Sequence, residues 1–188
     1  MALIQAVAEM FETYLLGSKD KAPVPEKATY FHTIRPPAIS VREYLVRLEN
    51  YMRCSEECYL LALIYIDRIV NREPDIVINS HCIHRLILTG VVIAAKFVDD
   101  VYYKNTYYAH VGGIPIRELN LLEHQFLSFL DFNLYVPYED FNYYHTTLMN
   151  NFHKEHSKHF ELVTGDNKEK QRSFSVCAQT FSWSLYIK

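Results

Sequence analysis

The run INSHCIHRLILTGVVIAAKFVDD is apolar almost all the way round, yet it closes on Lys96. Further along, the run LNLLEHQFLSFLDF carries Glu123. A lysine offers three donors and no acceptor, and an ionised carboxylate offers acceptors alone. A buried helix that emerges at a lysine, next to a helix that offers a glutamate, has the chemistry of a docking device rather than of an active site. Taken alone, the two residues have blander readings. A lysine there also suits the negative end of the helix dipole or snorkels to water, and a mid-helix glutamate is often simply solvated.

Other candidate chemistry is weaker. His153, His156 and His159 step at three residues, with His145 one stretch earlier, and helical histidines at such spacing can bind zinc. No cysteine or carboxylate pair completes that set, so solvated surface histidines and no metal are expected. Cys54 and Cys58 stand at i, i+4, where buried free thiols are the expectation. His81 and His84 flank Cys82 at a helix start and read as packing residues. Phosphate loop, nucleophile elbow and H-E-x-x-H are all absent from the sequence, and no cofactor is expected.

These residues must be positioned by helices. A first helix is expected over Ala2 to Leu16, with Leu3, Ile4, Val7, Met10, Phe11, Tyr14 and Leu15 on one stripe and Gly17 after it. Ser18 to Pro37 holds four prolines and mixed charge and reads as a linker. Ser40 and Glu43 form a capping box that opens a second helix with Val41, Tyr44, Leu45 and Leu48 inward. Ser55 is the expected N-cap of a third helix running to Val70, and Ser80 that of a fourth running to Val98. The fourth is apolar on every side, which marks a helix surrounded by others; Gly90 within it permits close helix approach. VYYKNTYYAHVGG reads as an aromatic loop, its tyrosines covering the end of the core. Pro115 opens a helix to Asp131, and Pro137 another with Phe141, Tyr144, Leu148 and Phe152 on one face. From His153 the pattern fades, and residues 173–188 are either a short helix or an unstructured end. The layout is all-α, around one central helix.

Composition bounds the function. With 188 residues and 49% of them hydrophobic, one domain with a sizeable core is expected. A net charge of -3 disfavours nucleic acid as partner, because such binding needs a basic face. No apolar run reaches membrane-span length, and the N-terminal stretch, with Glu9 and Glu12, lacks the basic start of a signal peptide. Four cysteines without a spaced framework suit a reducing compartment, cytoplasm or nucleus.

The order of short words is more specific than any one of them. P-x-I-S-V-x-x-Y-L-x-R, C-S-x-x-C, Y-I-D-R, H-R-L, A-A-K, D-D, Y-Y-A-x-V-G-G and E-L-N-x-L-E follow one another between Ala38 and Asn151. In this the chain resembles the P/U-type cyclins. The resemblance implies a cyclin box, a five-helix domain around a central buried helix, with flanking N- and C-terminal helices. The implied division is residues 1–37 as N-terminal helix and linker, 38–152 as cyclin box with its following helix, and 153–188 as a tail without a complete second box. It implies a regulatory subunit that binds and activates a cyclin-dependent Ser/Thr kinase, in cell-cycle or phosphate/nutrient signalling. The alternative is a kinase-independent cyclin-box adaptor or transcription-factor-like scaffold.

In that family a lysine and a glutamate clamp the kinase's regulatory helix, and Lys96 and Glu123 match those positions. Phe97, Leu127 and Phe132 match the apolar positions that form a dry centre around the pair. Asp67 in YIDRI matches an aspartate that pairs with an arginine of the first box helix. The direct counterpart of that arginine is Ala38, a departure that leaves Arg42 or Arg47 to reach it. The first-helix stretch PPAISVREYL also departs from the Met-Arg-Ala-Ile-Leu-like substrate patch of cell-cycle cyclins, which puts conventional substrate docking in doubt. Asp99 and Asp100 oppose the dipole at their helix end, at about 0.3–1 kcal/mol each if exposed. They read either as contacts to a basic partner, kinase, inhibitor or substrate protein, or as local caps.

Overall fold

Ser40 does open a helix in the way S-x-x-E dictates. Its hydroxyl accepts from the Glu43 N–H at 3.1 Å, and the Glu43 carboxylate accepts from the Ser40 N–H at 3.0 Å. The Ser40 N–H, and then the Ser40 hydroxyl, which lies 2.8 Å from the same carboxylate oxygen, hold the Glu43 carboxyl below its ordinary pKa. The computed structural model describes residues 2–17, 29–73 and 76–164, with side chains as far as 157. Seven helices lie in them: α1 Ala2–Gly17, α2 Val41–Met52, α3 Glu57–Arg72, α4 Ile83–Val98, α5 Asn105–Gly112, α6 Ile116–Phe129 and α7 Tyr138–Thr164. No strand occurs among the described residues. The all-α expectation stands, with α2 to α6 as the five helices of the box between the flanking α1 and α7. The expectations for most of the linker, 18–28, and for residues 173–188 fall outside the described residues.

The central position expected for α4 follows from its surface. Leu86, Ile87, Leu88, Val91, Val92, Ile93, Ala94 and Ala95 are all buried, so every side of the helix meets protein. Thr89 is buried with them and satisfies its hydroxyl by donating to the Arg85 carbonyl at 2.7 Å. Gly90 is the close-approach point. A Cβ there would stand 3.0 Å from the Ala62 Cβ on α3 and 3.3 Å from Phe126 Cζ on α6. Glycine in a helix costs about 1 kcal/mol relative to alanine, and here the contact it allows is where α3, α4 and α6 meet.

α1 packs on α2, α3 and α7 through buried Leu3, Ile4, Val7 and Phe11. Arg42 on α2 donates to Glu9 at 3.3 Å and to Glu12 at 3.2 Å. Such half-exposed pairs contribute about 0–1 kcal/mol. Burial of one Leu, Ile or Phe contributes about 1.5–3 kcal/mol, so the apolar stripe holds α1 in place. His84 and His81 are packing residues, as expected. His84 Nε2 lies 2.9 Å from the Ile39 carbonyl, and His81 Nδ1 lies 2.8 Å from that of Thr33. Burial holds the His84 imidazole below its ordinary pKa.

Four local expectations differ from the structure. Ser55 does not cap α3; α3 begins at Glu57, and the Ser55 hydroxyl is taken by Asp99 at 2.6 Å. α4 begins at Ile83 rather than at Ser80, after a turn in which Cys82 N–H donates to the Asn79 carbonyl at 3.2 Å. The aromatic loop contains α5, which buries Tyr108, Ala109 and Val111 and ends at Gly113 with φ +73°. α7 continues past His153 to Thr164. The tyrosines do cover the core end. Tyr103 and Tyr107 stack at 4.5 Å, and Tyr107 donates to the Tyr51 carbonyl at 2.6 Å.

Candidate functional site

α4 reaches the surface in its last turn, and Lys96 is the basic residue of that turn. Its Nζ donates to Glu123 Oε1 on α6 at 2.5 Å. The Lys96 and Glu123 side chains keep 28% and 16% of their surface, so the pair is neither solvated nor sealed. The second Glu123 oxygen accepts from Asn105 Nδ2 at 2.8 Å, and the same amide nitrogen donates to Asn120 Oδ1 at 2.8 Å. Asn105 opens α5, so three helices fix one carboxylate. Asn105 Oδ1 is buried with no hydrogen-bond partner among the described residues, which leaves an unused acceptor beside the pair.

The three apolar residues expected around the pair differ in exposure. Phe97, next to Lys96, is 50% exposed; Phe132 is 65% exposed; Leu127, one turn after Glu123, is half-buried against the core. Val98, Val101 and Tyr102 extend the exposed apolar run from the end of α4. Phe132 sits on a strained corner. Asp131 and Phe132 have φ of +49° and +58°, the left-handed region that disfavours residues with a Cβ. Phe132 N–H donates to the Leu127 carbonyl at 2.9 Å, closing the end of α6. Bonds from α3 hold the corner. Arg72 pairs with Asp131, Tyr65 donates to the Leu134 carbonyl at 2.9 Å, and Arg68 to that of Tyr135 at 3.0 Å. A strained aromatic fixed by its surroundings and presented to solvent is the kind of outlier that marks functional surface.

The two acids after α4 part company. Asp99 turns inward, accepting from the Ser55 N–H at 3.1 Å and the Ser55 hydroxyl at 2.6 Å, a tie between distant segments rather than a local cap. Asp100 is exposed.

Asp67 braces two helices, but not the expected two. Its carboxylate accepts from the Tyr144 hydroxyl of α7. Arg42 is committed to Glu9 and Glu12, and the Arg47 guanidinium lies beside Gly113. Neither arginine is the partner of Asp67. Burial raises the Asp67 pKa, against the lowering effect of Tyr144 and Arg68.

Two contacts had no signal in the sequence. Asn105 stands at the start of a helix with no apolar periodicity, and nothing local points it at Glu123. Arg85 Nε donates to Glu118 Oε1 at 2.5 Å and ties α4 to α6 a second time. Of the histidine series, His156 lies 3.7 Å from Glu9 and its Nδ1 donates to the Phe152 carbonyl at 2.9 Å; the His159 side chain is outside the described residues.

A surface ion pair held by three helices, with exposed Phe97 next to Lys96 in the chain, can offer polar and apolar contacts to a protein partner. No described helix is long and apolar enough to cross a membrane.

A model of the family described as Cyclin matches residues 9–134. Cyclin-U4-1 of Arabidopsis thaliana is 41% identical over 147 residues, covering 78% of this chain and 71% of that protein. Cyclin-U4-3 of the same plant is 43% identical over 142 residues, covering 76% of this chain and 61% of its own length. A PHO85 cyclin-like protein, psl1 of Schizosaccharomyces pombe, is 45% identical over 114 residues, 60% of this chain and 47% of that one. The chain thus spans less than two thirds of the latter two relatives.

Proposed function

The chain belongs to the cyclin family, and from that premise we propose that it binds a cyclin-dependent Ser/Thr kinase and activates it. Cyclins are regulatory subunits, not enzymes themselves, so the chemistry belongs to the partner. The observation that carries the proposal is the Lys96–Glu123 pair, closed at 2.5 Å at the surface, with Phe97 exposed next to Lys96 in the chain and Phe132 exposed just after α6. Lysine donors and glutamate acceptors at that spot meet the unpaired backbone groups at a partner's helix end. Apolar side chains beside them supply the dry contact in which such polar bonds gain strength.

On this reading the kinase's regulatory helix docks at the ends of α4 and α6. Its ordering completes the kinase's own Lys–Glu pair and metal site, and phosphoryl transfer to Ser or Thr follows there. Phosphate or nutrient signalling is one setting for such a subunit; the cell cycle is the other. Cytoplasm or nucleus is the compartment in which such a kinase would be met.

The test is capture of a kinase from cell extract on the immobilised chain, followed by phosphorylation of a generic Ser/Thr substrate. A cyclin-dependent kinase recovered in active form is expected. Recovery of other proteins with no kinase activity would favour the adaptor role instead.

A further inference from the structure

Three chain segments that share no secondary element converge beside the docking surface. α2 ends at Arg53, whose φ of +52° turns the chain sharply and delivers Cys54. Cys58 lies in the first turn of α3, and Asp99 is the residue on which α4 ends. The two thiol sulfurs and a carboxylate oxygen of Asp99 all lie within 4.8 Å of one another. We propose that Cys54, Cys58 and Asp99 form a binding site for zinc(II), with water in the fourth position.

The spacing suits the ion. Zn–S bonds of about 2.3 Å and Zn–O bonds of about 2.0 Å at a tetrahedral angle put sulfur and oxygen about 3.5 Å apart. Cys58 Sγ and Asp99 Oδ2 stand 3.5 Å apart before any ion enters. The carboxylate is also aimed. Ser55 gives it both an N–H at 3.1 Å and a hydroxyl at 2.6 Å, the kind of outer support that fixes a ligand's orientation.

The thiols are unequal in a useful way. Cys54 is half-buried, which leaves an entry path, and Cys58 is buried. Hydrogen bonds from Cys58, and then from Tyr59, hold the Cys54 thiol below its ordinary pKa. The same bond and burial push Cys58 up. Binding converts two thiols and a carboxylate to the complex, releases two protons to solvent and changes no oxidation state. Cys82 shows the contrast. It is fully buried and its thiol faces the Val77 and Asn79 carbonyls, as a packing cysteine does.

The experiment uses the full chain, reduced and freed of metal. Titration with cobalt(II), a spectroscopic stand-in for zinc, should give the near-ultraviolet thiolate charge-transfer band at one equivalent, reversed by zinc. Cys54→Ser and Asp99→Asn should each weaken binding at least about tenfold, and Cys82→Ala should leave the band in place. Because ligand variants can lose fold, the wild-type chain carries a second readout. Zinc should protect Cys54 and Cys58 together from alkylation, read by peptide mass. An absent band, a band that survives Cys54→Ser, or alkylation unaffected by zinc would each overturn the site. So would a chain lighter by two hydrogens with these thiols already joined as a disulfide.

Discussion

Asn105 Nδ2 donates to Glu123 Oε2 at 2.8 Å, so the acceptor that Lys96 uses is gripped on its other oxygen by α5. Asn105→Ala removes that grip and the bond to Asn120 together. A typical hydrogen bond contributes about 0.5–1.5 kcal/mol net, and thermal unfolding should show a loss in that range. Kinase affinity should fall as well, because an unrestrained Glu123 must be ordered on binding. Unchanged affinity in the folded variant would mean that α5 has no part in positioning the pair.

Gly90 faces Ala62 across the contact between α3 and α4. A Cβ meets the Ala62 Cβ at 3.0 Å and Phe126 at 3.3 Å, so a longer side chain has no space to enter. Gly90→Leu should lower stability by about 1–3 kcal/mol or more, despite the gain in helix propensity. Urea unfolding followed by circular dichroism measures it. A more stable variant would show that α4 does not pack as closely as these distances require.

What the sequence disclosed and what it hid divide on physical lines. The Ser40–Glu43 capping box, the central α4 and the Gly90 contact were legible because each depends on local spacing or on apolar periodicity, while the pairing of Lys96 with Glu123 was legible only through the resemblance to the P/U-type cyclins. α5 was not, because NTYYAHVG is only eight residues long and its aromatics form no stripe; burial of Tyr108 and Val111 fixes it from outside. Ser55 obeys the cap rule in sequence and breaks it in space. Asp99, distant in the chain, offers its hydroxyl a charged acceptor, which a helix N–H donor cannot. Asp67 is legible as a brace through the resemblance, but its partner is not, because in sequence Tyr144 is one residue of an apolar face.

The burial of Asp67 beside Tyr144 makes stability depend on pH. Burial raises the folded-state pKa of Asp67 above its ordinary value. Below that ordinary value the carboxyl is neutral in both states and the folded chain bears no desolvation cost. As pH rises, the unfolded chain ionises first, so the Asp67 contribution to stability falls until the folded group ionises too. Asp67→Asn should remove this dependence and keep an oxygen for the Tyr144 hydroxyl. Its stability relative to wild type should therefore rise between acidic and neutral pH. Tyr144→Phe should cost about 1–3 kcal/mol at neutral pH, by leaving a half-buried carboxylate without its donor. Melting temperatures of the three chains across pH 3 to pH 7 (about the carboxylate range) test both. A wild-type chain that gains stability relative to Asp67→Asn as pH rises would reverse the sign.

The proposed clamp can be tested by exchanging its charges. Lys96 and Glu123 already face each other at 2.5 Å, so Lys96→Glu combined with Glu123→Lys keeps opposite charges opposed. The double variant should stay folded and lose at most about 1 kcal/mol, the scale of a partly exposed pair. Lys96→Glu alone sets two carboxylates against each other and should cost more in stability than the exchange. Kinase binding should respond differently. An exchanged pair presents donors where the partner needs acceptors, and disturbing a buried interfacial charged hydrogen bond costs about 2–5 kcal/mol. The double variant should thus lose kinase capture and activation while its melting temperature stays near that of the wild type. If the folded double variant captured and activated the kinase normally, the assignment of these two residues would be wrong. Phe132→Ala separates the apolar share of the surface: because the residue is 65% exposed and Ala keeps the same Cβ at the left-handed corner, it should weaken capture and leave stability nearly unchanged.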